Sequence, residues 1–411
     1  MATSVLNLVI RSAGSPLRQT GLKSRRAFRL PYVRFYSQQN ALDPLEGGTF
    51  KFSELQVSLA GPELLKPKPD VSNLIFGKCF TDHMFEVEWN VEGWGPPRIC
   101  PLHDLNIHPA AKVLHYALEL FDGMKAYRGV DGKIRLFRPD LNMQRLLRGS
   151  RRCLLPQFDP EELISCMKRL IKIEEEWIPH SETSSLYIRP TVIGTDPSLG
   201  VARSMQAMLY IILCPVGPYF ETGFKPVNLL ADPKFVRSWP GGSGDVKLGS
   251  NYGPTVFVQR AAENSGLQQV LWLYGDDHQL TEVGTMNIFI LIKNANGEKE
   301  LITPPLHGLI LPGVTRQSIL ELVRGWNEFK VTERPVPMKE FLQLKEEKRL
   351  LEFFGAGTAC IVCPISGVSF LGVNHHIPTM EQEDPLYARV LNTLSGIYYG
   401  RISHEWSVLV D

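Results

Sequence analysis

Residues 241–254 read GGSGDVKLGSNYGP, and Lys247 is the one basic residue in a run that holds five glycines. A lysine there invites a phosphate-binding loop, but that loop needs the lysine directly after a glycine and a hydroxyl residue after it. Val246 precedes Lys247 and Leu248 follows it. A dinucleotide fingerprint fails as well, because Lys247 takes the third glycine's place after Gly242 and Gly244. Two readings remain. Lys247 is an ordinary loop lysine, or it is a desolvated amine whose lowered pKa makes it a nucleophile toward an aldehyde, as in a pyridoxal phosphate Schiff base.

Such a cofactor needs a carboxylate at its ring nitrogen and an anion cradle for its phosphate. Glu282, in LTEVGTMNIFIL, stands just before an apolar strand. Gly313, in LPGVTRQSIL, opens a helix whose free N–H groups at Val314 and Thr315 can bind phosphate. In FFGAGTACIVCP a small-residue turn, Gly355 to Ala359, directly follows a strand. The pair Cys360 and Cys363 has neither a second pair nor histidine ligands, so no metal site is expected.

The runs EVGTMNIF from Glu282, LIT from Leu301 and LPGVTR from Leu311 resemble, in order and spacing, the class IV pyridoxal phosphate-dependent aminotransferases. Within that class the chain resembles the branched-chain amino acid aminotransferases of mitochondrial type, from about residue 70 to 408, through FTDHM, LHYALELFDGMKAY, LFRPDLNMQRLL, SLYIRP, DPSLGV and KLGSNYGPTV. Asp122 stands where the family has glutamate, and Ser250 where it has glycine or alanine. Asp122 sits beside a pocket residue, so a slight effect on substrate preference is expected. The resemblance implies a fold-type IV enzyme and a homodimer. Pyridoxal 5'-phosphate would be held by Lys247 as Schiff-base residue and general base, Glu282 at the pyridinium nitrogen and Tyr252 at the ring hydroxyl. Arg145 by paired donors, with Val314, Thr315 and Thr358, would hold the phosphate, and Arg237 would stand behind it. Tyr116, Phe121, Tyr187, Arg189, Thr285 and Ala359 would form one pocket for leucine, isoleucine or valine and for 2-oxoglutarate or glutamate, whose distal carboxylate Arg189 would meet. Cys360 and Cys363 are implied as a reversible disulfide, against the plainer reading of two small buried residues after a turn. Other class IV chemistry, a D-amino acid transaminase or a lyase, matches fewer of these segments.

These residues must be positioned by ordinary elements. FEVEW (85–89) alternates like a half-buried strand, and DPEELISCMKRLIKIEEEW (159–177) is an amphipathic helix with acids in its first turn. AMLYIILC (207–214) predicts a buried strand ended by Pro215. PVGPYFETGFKP (215–226), with three prolines and two glycines, predicts an interdomain linker. The second half predicts strands at 269–274, 287–292 and 349–354 and helices at 254–265, 314–326 and 385–399. The expectation is a mixed α/β (α+β) chain with a small domain (37–214) and a larger one (227–411).

Composition bounds the rest. The 411 residues are 44% hydrophobic and 21% charged, as in globular proteins. Arg11, Arg18, Lys23, Arg25, Arg26, Arg29 and Arg34 precede the first acid, Asp43, which predicts a mitochondrial transit peptide over residues 1–36 and delivery to the matrix. The remaining 37 basic and 43 acidic residues form a mildly acidic body with no electrostatic footprint for nucleic acid. No apolar run approaches the ~18 residues of a membrane span. Seven cysteines, mostly in apolar contexts, suit a reducing compartment.

Overall fold

Apolar runs bounded by glycine and proline become the strands of two sheets in a computed structural model that describes residues 48–217 and 225–410. The expected transit segment and residues 218–224 of the expected linker lie outside the described residues. Among the described residues, the first sheet runs Gln56–Val57, Arg98–Pro101, His83–Asn90, Gln206–Val216, Ser185–Gly194, Met124–Arg128, Ile134–Phe137, Ser407–Leu409 in spatial order, with Gly93–Trp94 and Glu119–Phe121 as side pairings. The second runs Gln279–Val283, Gln269–Tyr274, Val227–Ala231, Ile361–Phe370, Leu350–Gly357, Met286–Lys293, Lys299–Thr303, Lys330–Glu333. Parallel pairs flank Val227–Ala231 and join Lys299–Thr303 to Lys330–Glu333, while the strand pairs that carry site residues are antiparallel. The architecture is mixed α/β.

The helices follow their local chemistry. In Pro160–Ile173, Asp159 caps the start by accepting from the Glu161 N–H, Pro160 takes the first turn, and Leu163, Cys166, Met167, Leu170 and Ile171 form one buried stripe. The α-helix stops at Ile173, and a separate 3-10 turn, Glu175–Trp177, completes the expected span. Thr255–Asn264, Val314–Trp326 and Leu386–Tyr398 occupy the expected second-half positions.

Two features depart from the reading by pattern. The apolar run at 207–214 does not end at Pro215 but continues to Val216. The ladder with His83–Asn90 ends at Ile211, so Pro215 lies where that flank has no partner strand and a missing N–H breaks no ladder bond. The other is Ser407–Leu409, which returns from the end of the chain to pair with Ile134–Phe137 of the first sheet.

One apolar core lies within the first sheet and its helices, and another fills the second sheet around Ile288, Ile290, Phe341 and Phe353. A third joins them, packing Tyr127 and Phe137 against Phe289, Val323, Leu394 and Tyr398. Tyr127 stacks on Tyr398 with ring centroids 4.7 Å apart. This seam fixes the two sheets as one compact unit, so a site drawing residues from both is held rigidly.

Candidate active site

Lys247 is aimed by its neighbours. Val246 and Leu248 are buried in the first sheet's core, so in this extended stretch Lys247 turns the opposite way. The backbone is pinned too, because Phe121 N–H donates to the Lys247 carbonyl at 3.1 Å and Leu120 pairs with Leu248. Lys247 Nζ lies 3.1 Å from the Tyr252 hydroxyl and 4.6 Å from the centroid of the Phe121 ring. The Phe121 and Tyr252 rings are 5.0 Å apart.

Phe121 also carries the Arg189 guanidinium, 4.6 Å above its centroid, and Arg189 Nη2 donates to the Tyr187 hydroxyl at 3.2 Å. Arg189 Nε is buried with no hydrogen-bond partner, an unsatisfied donor of the kind that a ligand satisfies. Tyr187 packs edge-on against Phe76 at 4.9 Å. A Cβ at Gly123 would stand 1.9 Å from the Tyr187 hydroxyl, so only glycine lets this ring lie there.

Asp122 is fully buried and takes two donors from Arg145, Nη2 at 2.7 Å and Nε at 2.9 Å, and one from Asn142 at 2.8 Å. Burial raises its pKa, but Arg145, with the Lys247 charge and Asn142, outweighs burial and holds the carboxyl below its ordinary value. In this structure the paired donors of Arg145 are engaged by Asp122, and Nη1 reaches the Pro312 carbonyl at 3.3 Å. Asp122 therefore positions Arg145, beyond the slight effect on substrate preference expected of it.

Glu282 is buried on the hairpin Gln279–Val283/Met286–Lys293. Arg237 Nη1 pairs with its Oε2 at 2.9 Å, while Asn287 Nδ2 and the Leu311 N–H donate to Oε1 at 3.1 and 3.0 Å. Burial lifts its pKa above the ordinary value against the pull of Arg237, the Leu311 N–H and Lys247. Arg237, expected behind the phosphate, has the Glu282 carboxylate as its buried partner. Asn287 also donates to the Leu311 carbonyl at 2.8 Å, tying this hairpin to the turn that starts Val314–Trp326. That helix begins at Gly313 with no side-chain cap, and Val314 and Thr315 in its first turn are buried.

Thr358 and Ala359 lie in the turn between Leu350–Gly357 and Ile361–Phe370. Buried Lys125, which the sequence did not single out, donates to the Ala359 carbonyl at 2.8 Å. Burial pushes the Lys125 ammonium down to about 8, with Cys360 pulling the other way. Thr285 is exposed at the hairpin tip. Tyr116 is exposed, its hydroxyl donating to the Leu199 carbonyl, and lies outside the Phe121 contacts described above. Cys360 Sγ lies 3.2 Å from Met286 Sδ, and Cys363 is buried; burial pushes the Cys360 thiol up to about 12 and raises that of Cys363. A hollow of about 400 Å³ elsewhere, bordered by Asn294, Lys330 and Arg334, contains none of these residues.

Chemically, the arrangement offers an amine whose charge acts on two buried carboxylates, each paired with its own arginine, together with aromatic walls and an uncapped helix start. Asn142, Asn287 and Lys125 escaped sequence reasoning because each acts through contacts made only in the fold, and the role of Asp122 toward Arg145 escaped it for the same reason. For Asp122 the one sequence signal was its departure from glutamate.

Residues 119–351 match the family model described as amino-transferase class IV. The chain is 54% identical over 370 residues to the cytosolic branched-chain-amino-acid aminotransferase of Ovis aries, covering 90% of this chain and 95% of that one. It is 55% identical over 359 residues to the mitochondrial enzyme of Mus musculus, covering 87% and 91%. The branched-chain amino acid aminotransferase of Thermobaculum terrenum, solved in its PLP-form, shares the fold at a TM-score of 0.63 and 18% identity, covering 80% of this chain and 98% of that one.

Proposed function

The chain belongs to the class IV aminotransferases and, within them, to the branched-chain-amino-acid aminotransferases, and from that premise we propose how its residues carry the reaction. It transaminates branched-chain amino acids. We infer that pyridoxal 5'-phosphate is its cofactor, 2-oxoglutarate its amino acceptor, with glutamate as the product, and a homodimer its working form. When bound, the cofactor supplies an aldehyde that takes up the amino group and a protonated ring that draws electrons from the substrate Cα.

The residues present fit that group. A Cβ at Gly313 would fall 2.1 Å from Asn287 Oδ1, so the helix start is kept clear of side chain where an anion meets N–H groups. The backbone of Val314 and Thr315, the Thr358 hydroxyl and Arg145 Nη1 would hold the phosphate. Glu282 would face the ring nitrogen, its carboxylate fixed by Arg237 and Asn287. Tyr252 would face the ring hydroxyl and orient Lys247 Nζ.

Lys247 Nζ would hold the aldehyde carbon and, once displaced by the substrate amine, would take the proton from the substrate Cα and deliver it to the cofactor's C4′. Phe121, Tyr187 and Tyr116, with Thr285 and Ala359, would enclose the aliphatic side chain. Arg189 would pair with the distal carboxylate of 2-oxoglutarate, and its unpartnered Nε supports this. The observation that carries the reading is the placement of Lys247 Nζ against Tyr252 and Phe121 with its charge acting on both Asp122 and Glu282. The test is leucine labelled in its amino nitrogen, incubated with enzyme, cofactor and 2-oxoglutarate. Label in glutamate is expected; label released as ammonia, or D-alanine serving equally well, contradicts it.

We read the chain as a small domain (37–214) and a large one (227–411), joined over 215–226, with Ser407–Leu409 of the latter returning to the first sheet. We place the protein in the mitochondrial matrix; the basic, acid-free N-terminus supports this, and import of the chain with and without residues 1–36 tests it. Cys360 and Cys363 are read as a reversible dithiol beside the Ala359 turn, tested by a loss of two hydrogens in mass under mild oxidant.

A further inference from the structure

One cluster of ligand-type side chains lies outside this site. Strand pairing sets Glu86 opposite Arg98 and Met84 opposite Cys100, so Glu86 and Cys100 emerge on the same face of the first sheet. His103 follows on the segment leaving Arg98–Pro101. One oxygen of Glu86, the Cys100 sulfur and one ring nitrogen of His103 all lie within 4.8 Å of one another. His103 Nε2 is 3.4 Å from Glu86 Oε2, while Cys100 Sγ is 3.8 Å from the second oxygen of that carboxylate, Oε1. Ligands placed tetrahedrally around zinc at its usual bond lengths stand roughly 3.3–3.8 Å apart.

The histidine supplies the decisive constraint. His103 Nδ1 lies 2.8 Å from the Asp104 carbonyl oxygen, and a carbonyl only accepts, so Nδ1 carries the hydrogen. In the neutral ring Nε2 then presents a lone pair to a carboxylate oxygen that also only accepts. A cation belongs between them, either a proton or a metal ion. With the neighbouring thiol the donor set is sulfur, nitrogen and oxygen, which among metal ions suits zinc rather than magnesium or calcium. The surroundings match a metal site: a ligating histidine donates its other N–H to a backbone carbonyl, and Arg98 donates to Glu86 Oε1 at 2.8 Å, leaving Oε2 free to ligate. Glu86 is 4% exposed, although strand alternation placed it on the outer face.

We propose that Glu86, Cys100 and His103 bind one zinc ion through Oε2, Sγ and Nε2, with water as the fourth ligand. These ligands match no zinc spacing in the sequence and meet only through strand pairing. Zinc binds the sulfur as thiolate, so binding releases the thiol proton to solvent. The ion would tie the segment after Arg98–Pro101 to the sheet, far from any role in proton transfer at Lys247.

The test uses the cofactor-loaded enzyme, stripped with a chelator and dialysed against zinc, with ions counted per chain. Cobalt then replaces zinc, and its bands in the red, beyond cofactor absorbance, report tetrahedral coordination. One ion per chain is expected, with affinity lowered at least about tenfold by Cys100→Ser and by His103→Gln. His103 is exposed, so His103→Gln leaves folding intact if Cys100→Ser does not. The Cys360→Ser/Cys363→Ser double variant should bind unchanged. No bound ion, binding indifferent to both single variants, or binding lost in the double variant overturns the proposal.

Discussion

Asp122 shows how one residue governs another's chemistry. Replacing it with asparagine leaves the buried Arg145 charge without its counter-ion, at a cost of about 3–5 kcal/mol. The sign with pH follows from its lowered pKa: the pair's contribution is complete above the ordinary carboxylate range and is lost as pH falls through the depressed folded value. Melting curves across the acid range should show the wild type losing Tm steeply and Asp122→Asn starting lower and losing less; parallel curves would refute the pairing. Arg189→Met should raise the KM for 2-oxoglutarate by roughly 10- to 150-fold, the worth of a charge-assisted hydrogen bond, and leave that for leucine nearly unchanged. Equal rises would mark Arg189 as a structural residue. At this scale the sequence showed which types could do chemistry, Lys247, Glu282 and Arg189 among them. It did not show their partners, since Asp122 and Arg145 are 23 residues apart and Glu282 and the Leu311 N–H are 29 apart.

Elements translate those types into directions. Val246 and Leu248 point Lys247 by being buried themselves, and Asn287 couples the Glu282 hairpin to the start of Val314–Trp326. Gly313→Ala would force Asn287 aside, costing about 1–3 kcal/mol and weakening cofactor affinity through both Glu282 and the helix start. Gly325→Ala, near the end of the same helix with open space around it, should instead be neutral or stabilise by up to about 1 kcal/mol. Cofactor titrations of the two variants check this, and similar affinities would contradict it. Gln269–Tyr274 and Val314–Trp326 were legible to the residue, because each is a periodic run with clear breakers at its ends. Pro215 misled because a proline ends a strand only where its N–H is needed, and Glu86 because alternation does not reveal that Arg98 and His103 cover the outward face.

In the whole molecule, two sheets contribute to the surroundings of one lysine. The first contributes Phe121, Asp122, Tyr187 and Arg189, the second Glu282 and the helix start, and the aromatic seam of Tyr127, Phe289 and Tyr398 fixes their separation. Pattern reading could not supply this seam, since it joins residues more than 150 positions apart, nor the return of Ser407–Leu409 to the first sheet. Lys125 and Lys112 are buried and Lys247 only partly so, which makes the choice of Lys247 a claim about this assembled site and not about burial. Borohydride reduction of the cofactor-loaded enzyme, followed by peptide mapping, tests it most directly. The pyridoxyl group is expected on Lys247, and is expected to disappear from the map in Lys247→Ala; a pyridoxyl group on Lys125, Lys112 or any other lysine of the wild type would contradict this assignment.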